Sequence, residues 1–314
     1  NVPDVVATVD PNATVEPQIL GVVTGTVTNG TAGSTIPADL ALTLHVVTSN
    51  VTEESFETVV GENGAYRFEN VPFNAIYQYV ITAPFGAIQF VSDIVTVDPA
   101  TPEYDLPISI YETVFDPSVL TVTTLSAQIV AQDSTLQVIE IIGITNTSDR
   151  VYIDVATGQS VRVRVPDGAT FSTPMSSRYG VTTDGAVTFD SRPVMPGEGH
   201  LVHVAYTLPY SGGATLTQSF DYRIEGQLEV LLASEGLTAS GEGLTETGPV
   251  STGSASMLGY AGAITRDIGA PISYTVSGNP TNTTTTTPTG GSTSTASPIA
   301  YVLIGAGISA LLIA

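Results

Sequence analysis

The chain has 314 residues, no Cys, no Trp and no Lys; its eight basic residues are all Arg, set against thirty Asp and Glu, for a formal net charge of −22. That balance argues against nucleic acid and anionic lipid headgroups as partners of the soluble part. The missing Cys removes disulfides, thiolate metal sites, iron–sulfur clusters and Cys nucleophiles, while the length allows two ordinary domains plus a tail.

The sequence begins with Asn1 rather than Met, so a processed form that has lost a signal peptide is expected. Residues 1–18 read as an N-terminal arm. Val5, Ala7 and Val9 alternate with Val6 and Thr8, which suits a free leader or a strand donated to a neighbour.

Residues 19–113 predict a compact β-sandwich of about seven strands. Leu40, Leu42, Leu44 and Val46 alternate with Ala41, Thr43, His45 and Val47, a period of two. The run Gly61-Glu62-Asn63-Gly64 predicts a turn, after which Tyr66 and Phe68 face one side and enter the core. The pieces GTVTNGTAG (Gly25–Gly33), LALTLHVV (Leu40–Val47) and ENGAYRFENVP (Glu62–Pro72) resemble the carboxypeptidase regulatory-like domain. That resemblance covers under a third of the chain and rests on Glu62, Gly64, Tyr66, Phe68 and Pro72, with the acidic residue displaced by one position. It implies a transthyretin-like β-sandwich serving as a non-catalytic accessory module.

Residues 118–277 predict a second β-sandwich, so the fold class expected is all-β with two tandem sandwiches. Leu136, Val138, Ile142 and Ile144 share a strand face that Glu140 interrupts. Val161, Val163 and Val165 alternate with Ser160, Arg162 and Arg164, and Asp184-Gly185 signals a hairpin. The arrangement as a whole resembles membrane-anchored proteins of Chloroflexi-type bacteria that open with the regulatory-like module, a likeness that assigns no activity.

Residues 278–297 are almost entirely Thr, Ser, Gly, Pro and Asn and read as a flexible stalk. Residues 298–314, PIAYVLIGAGISALLIA, are uncharged and apolar and read as a single transmembrane anchor. As a helix, they span roughly 25 Å at ~1.5 Å per residue, a little less than the ~30 Å hydrocarbon core. Tyr301 is placed near the outer interface, and Gly305 with Ser309 forms a small-xxx-small spacing that permits close helix contact. The body is then extracytoplasmic, at a cell surface or in a periplasm.

Candidate chemistry is sparse. His200 and His203 are three apart in GHLVHVAY, which puts them on opposite faces of a strand; with Met195 they are the metal-ligand candidates, for copper(I). Acids such as Asp133, Glu140, Asp149, Asp154, Glu53, Glu54 and Glu57 lack the spacing of a calcium loop. Arg162 and Arg164 share a face suited to a partner carboxylate or to cross-strand acids. No G-x-S-x-G elbow occurs. Five sequons, at Asn12, Asn29, Asn50, Asn146 and Asn282, permit glycosylation.

The sequence therefore points to a non-catalytic, membrane-anchored extracytoplasmic protein that needs no cofactor. It would act through contacts with other membrane or envelope proteins, with membrane lipid at its C-terminal helix and a homo-oligomer as one form of assembly. Two alternatives are a copper-, calcium- or small-ligand-binding module and a self-assembling surface or filament subunit that uses the N-terminal arm.

Overall fold

The structure, a computed structural model, describes residues 19–49, 51–172, 176–182, 187–252 and 255–280. The N-terminal arm, the Asp184-Gly185 hairpin, residues 281–297 of the stalk and the apolar run 298–314 lie outside these residues, as do the sequons at Asn12, Asn50 and Asn282. The described residues are nearly all β, and none of their helices is long and apolar enough to cross a membrane. The chain divides after Glu112 into two compact units.

In the first unit the strands are β1 (Ile19–Asn29), β2 (Ala41–Thr48), β3 (Val51–Val59), β4 (Ala65–Phe73), β5 (Gln78–Phe85), β6 (Ile88–Val91), β7 (Glu103–Asp105) and β8 (Ile108–Ile110). One sheet runs β4-β1-β7, with β8 also on β1; the other runs β3-β2-β5-β6. The period of two sets their inner faces: Leu42, Leu44 and Val46 on β2 and Tyr79, Ile81 and Ala83 on β5 are buried. Both β7 and β8 pair with β1 in parallel, one after the other along its length.

The turn before β4 forms where its residues demand it. Asn63 and Gly64 both take positive φ (58° and 81°), and a Cβ at Gly64 would press on the Val27 carbonyl. Tyr66 and Phe68 then enter the core edge to face, with centroids 5.8 Å apart. Tyr79 ties the far end of β4: its hydroxyl donates to the Pro72 carbonyl (2.8 Å) and accepts from the Asn74 N–H (3.1 Å).

The second unit holds β9 (Thr113–Val114), β10 (Leu120–Gln132), β11 (Thr135–Asn146), β12 (Val151–Tyr152), β13 (Arg162–Arg164), β14 (Thr170–Phe171), β15 (Tyr179–Val181), β16 (Val187–Asp190), β17 (Gly197–Pro209), β18 (Gly213–Ser219), β19 (Arg223–Leu232), β20 (Leu237–Gly241), β21 (Thr245–Thr252), β22 (Ala255–Arg266) and β23 (Pro271–Gly278). A seven-stranded sheet, β14-β17-β11-β10-β19-β22-β21, is accompanied by the three-stranded sheets β18-β23-β20 and β13-β16-β15. One hydrophobic cluster, including Ile129, Val138, Val204, Phe220, Val230 and Val276, joins the large sheet to its neighbours. At the sheet's centre β10 pairs antiparallel with β11 and parallel with β19, about a hundred residues away. β10 carries a register shift between Val122 and Thr124, and there Gly226 of β19 lets the backbones meet: a Cβ on Gly226 would overlap the Thr123 carbonyl.

Candidate functional site

β16, β17 and the chain between them bring together the most concentrated ionisable cluster among the described residues. Asp190 ends β16 and is fully buried. Its Oδ2 accepts from Arg178 Nη2 (2.7 Å) and from His200 Nε2 (3.1 Å), and its Oδ1 accepts from the Arg192 backbone N–H (2.9 Å). Because Nε2 donates to the carboxylate, Nδ1 of a neutral His200 is left as the acceptor, and Arg192 Nη2 lies 3.4 Å from it. Arg178 also donates to the Leu201 carbonyl and stacks over the Tyr179 ring, 4.6 Å from its centroid. Ser160 clamps the loop, its hydroxyl donating to the carbonyls of Asp190 (3.1 Å) and Arg192 (2.6 Å).

The charges follow from this packing. Burial alone would raise the Asp190 carboxyl, but the His200 hydrogen bond, the Arg192 N–H and the Arg178 charge outweigh it and hold the group below its ordinary value. Burial lowers His200, and the two Arg charges add to that effect against the pull of Asp190. Burial also lowers His203, again with Arg178 and Arg192 contributing.

A second polar island lies inside the core of the second unit. Glu140 is fully buried; Tyr206 donates to its Oε1 (2.6 Å) and Gln218 Nε2 to its Oε2 (3.1 Å). Gln218 Nε2 also reaches the Arg164 carbonyl (2.7 Å), which links β18 to β13. The buried Tyr274 hydroxyl borders the same island, interacting with Tyr206 and with the Glu140 carboxyl. Burial pushes the Glu140 carboxyl up to about 7, against the lowering effect of its two donors.

The sequence candidates fall into place around these islands. His200 and His203 do alternate across β17, as its register with Ile144 and Ile141 of β11 requires, and His200 is occupied by Asp190. Met195 is exposed. Among the described residues no group of three or more His, Asp or Glu converges to hold a metal ion. Asp154 caps its own turn, accepting from the Ala156 N–H and the Thr157 hydroxyl. The Arg162 N–H donates to the Tyr222 hydroxyl (2.7 Å) and its side chain is half-buried, while Arg164, two residues on along β13, is exposed.

Of the described sequons, Asn29 uses its amide to brace a turn, donating to the Thr35 carbonyl (3.1 Å). Asn146 is buried and donates to the carbonyls of Arg150 (2.7 Å) and Val194 (3.0 Å), so the folded chain does not present it to a glycosyltransferase. Sequence reasoning missed Asp190, Arg178 and Arg192 as a group, since nothing in their spacing signals it. Glu140 left a visible signal as a carboxylate on an otherwise apolar strand face.

An Asp–His pair is the orienting half of a catalytic triad. Here the far nitrogen of the imidazole faces a guanidinium, and no hydroxyl among the described residues hydrogen-bonds to it. The arrangement locks a loop onto a sheet edge. In the first unit, an open groove passes Thr24, Thr26, Thr58 and Asp105; its Arg67 is already paired with Glu69 (3.1 Å) and Glu103 (3.3 Å).

No family model and no curated protein matches the chain. Among solved structures it is similar to an M1 zinc metallopeptidase from Deinococcus radiodurans, with 12% identity and a TM-score of 0.31 over 52% of this chain and 44% of that one. It is similar as well to the major pilin SpaD from Corynebacterium diphtheriae (12%, TM-score 0.23, 81% and 80%) and to the pilus protein RrgB from Streptococcus pneumoniae (8%, TM-score 0.22, 83% and 62%). The chain spans less than half the length of the metallopeptidase structures it matches. At these TM-scores none of the likenesses carries an argument about this chain's chemistry.

Proposed function

We propose that the chain is a non-catalytic protein of the cell exterior, held to a membrane by residues 298–314, and that its β units act by contact with other proteins. The observation that supports this reading is the use made of the ionisable groups. Glu140 and Asp190 are fully buried and His200 nearly so, each hydrogen-bonded to its neighbours in ways that tie strands together. The first unit meanwhile leaves Val51, Val59, Ile76, Val91 and Ile94 more than half exposed, the kind of surface that partner proteins cover.

The absence of Cys makes the location easy to test. Gln89 is exposed on β6, so Gln89→Cys places one thiol in an otherwise thiol-free chain. On intact cells a membrane-impermeant maleimide is expected to label it. Labelling that requires lysis would contradict an exterior body.

A further inference from the structure

We propose that Arg178 and Arg192, flanked by His203, form a cationic ledge that binds a carboxylate-bearing strand, and that its occupant is β3 of a second copy of this chain. The inference rests on the contact-based reading above and names the partner.

The ledge stands out against the charge of the whole. Residues 150–192 hold five of the eight Arg and four acids, whereas the rest of the chain has three Arg against twenty-six acids. Within the ledge, the Arg178 guanidinium pairs with Asp190 through Nη2, and its Nε is buried with no hydrogen-bond partner among the described residues. Arg192 is exposed and makes no ion pair with a described acid. His203 lies within reach of both guanidinium charges, and burial together with those charges keeps its imidazole neutral. Leu201, 39% exposed, lies beside it and supplies an apolar contact. Arginine next to exposed apolar side chains is the composition of an interface centre.

The complementary surface is on the first unit. β3 is the free edge of β3-β2-β5-β6, so one row of its backbone N–H and C=O groups has no strand partner. It carries Glu53, Glu54 and Glu57, all exposed and none in an ion pair among the described residues. Val51 and Val59, at its two ends, are 61% and 60% exposed. An acidic strand with apolar ends matches a basic ledge with an apolar neighbour. Two copies with a net charge of −22 repel over most of their surfaces, and this pairing is the approach that electrostatics favours. The two surfaces differ, so the contact is head-to-tail and adds copies in a row unless its rotation closes a ring.

Sedimentation velocity of the full chain in a mild non-ionic detergent tests this. The wild-type chain is expected to associate with rising concentration and to dissociate with added salt. Arg192→Glu should weaken association about tenfold or more. So should the double variant Glu54→Arg with Glu57→Arg, which leaves the Asp190 cluster untouched and so separates docking from folding. Mixed together, the two variants should recover association, because the intact ledge of one meets the intact strand of the other. A wild-type chain that stays monomeric, variants that associate like wild type, or a mixture that stays monomeric would each overturn the proposal. A monomer that still labels from outside the cell would leave the contact-based reading standing with a different partner.

Discussion

The Tyr206 hydroxyl donates a 2.6 Å hydrogen bond to Glu140 Oε1 at the centre of an aliphatic core, where both side chains are wholly buried. A charged carboxylate there costs several kcal/mol unless its donors compensate, and two donors compensate only in part. The result is a carboxyl whose folded pKa is about 7 instead of 4.5.

The sign of the pH dependence follows. Between pH 4.5 and 7 the folded chain holds a proton at Glu140 that the unfolded chain has released, so this group makes stability fall as pH rises through that window. The fall amounts to roughly 3 kcal/mol and is complete above pH 7. Glu140→Gln should abolish this component, which denaturant titrations at pH 5 and 8 will measure. Glu140→Ala should instead destabilise by about 3 kcal/mol or more at either pH, since it leaves a cavity and orphans two donors.

His200 acts in the opposite sense. Its folded pKa lies below 6.5, so its contribution is present above that pH and is lost as pH falls through the folded value. Below pH 6.5 the two groups oppose each other and flatten the wild-type profile. In a Glu140→Gln background the acid-side loss from His200 should become visible. Asp190→Asn, which breaks the grip on Arg178 and His200, should cost about 3–5 kcal/mol, read as a lower denaturation midpoint.

Gly226→Ala should be among the most damaging single-methyl additions. The new Cβ would overlap the Thr123 carbonyl where the two central parallel strands meet, and backbone cannot yield there as a side-chain tip can. A loss of at least ~3 kcal/mol or failure to fold is expected. Gly168→Ala, where nothing lies within 4 Å, should cost about 1 kcal/mol from its positive φ alone.

Asn146 should carry no glycan in the folded protein, whatever the host. Glycopeptide mass spectrometry checks this directly. Asn146→Ala should lower stability by about 2 kcal/mol, because its buried amide donates to two carbonyls from separate loops.

The sequence made local order legible and long-range order opaque. The alternation in Leu40–Val47 and the turn Gly61–Gly64 are physical imperatives of a few consecutive residues, and both appear where expected. Tyr66 and Phe68 likewise enter the core as their spacing requires. The parallel partnership of β10 with β19 joins segments about a hundred residues apart, and no local pattern encodes it. The Asp190 cluster is hidden for the same reason: Arg178, Arg192 and His200 become neighbours only when β15, β16 and β17 are assembled. Asn146 shows a different limit, since a sequon specifies an acceptor chemistry and says nothing about burial.

The claim that this chain works by contact is tested most directly by photo-crosslinking in intact cells, with a photoreactive residue at Glu57 or at Arg192. The account predicts discrete protein adducts from both positions, and from a second copy of the chain if the ledge and β3 meet. A chain that yields no adduct from either position, while showing a turnover that His200→Gln abolishes without unfolding it, would contradict the account.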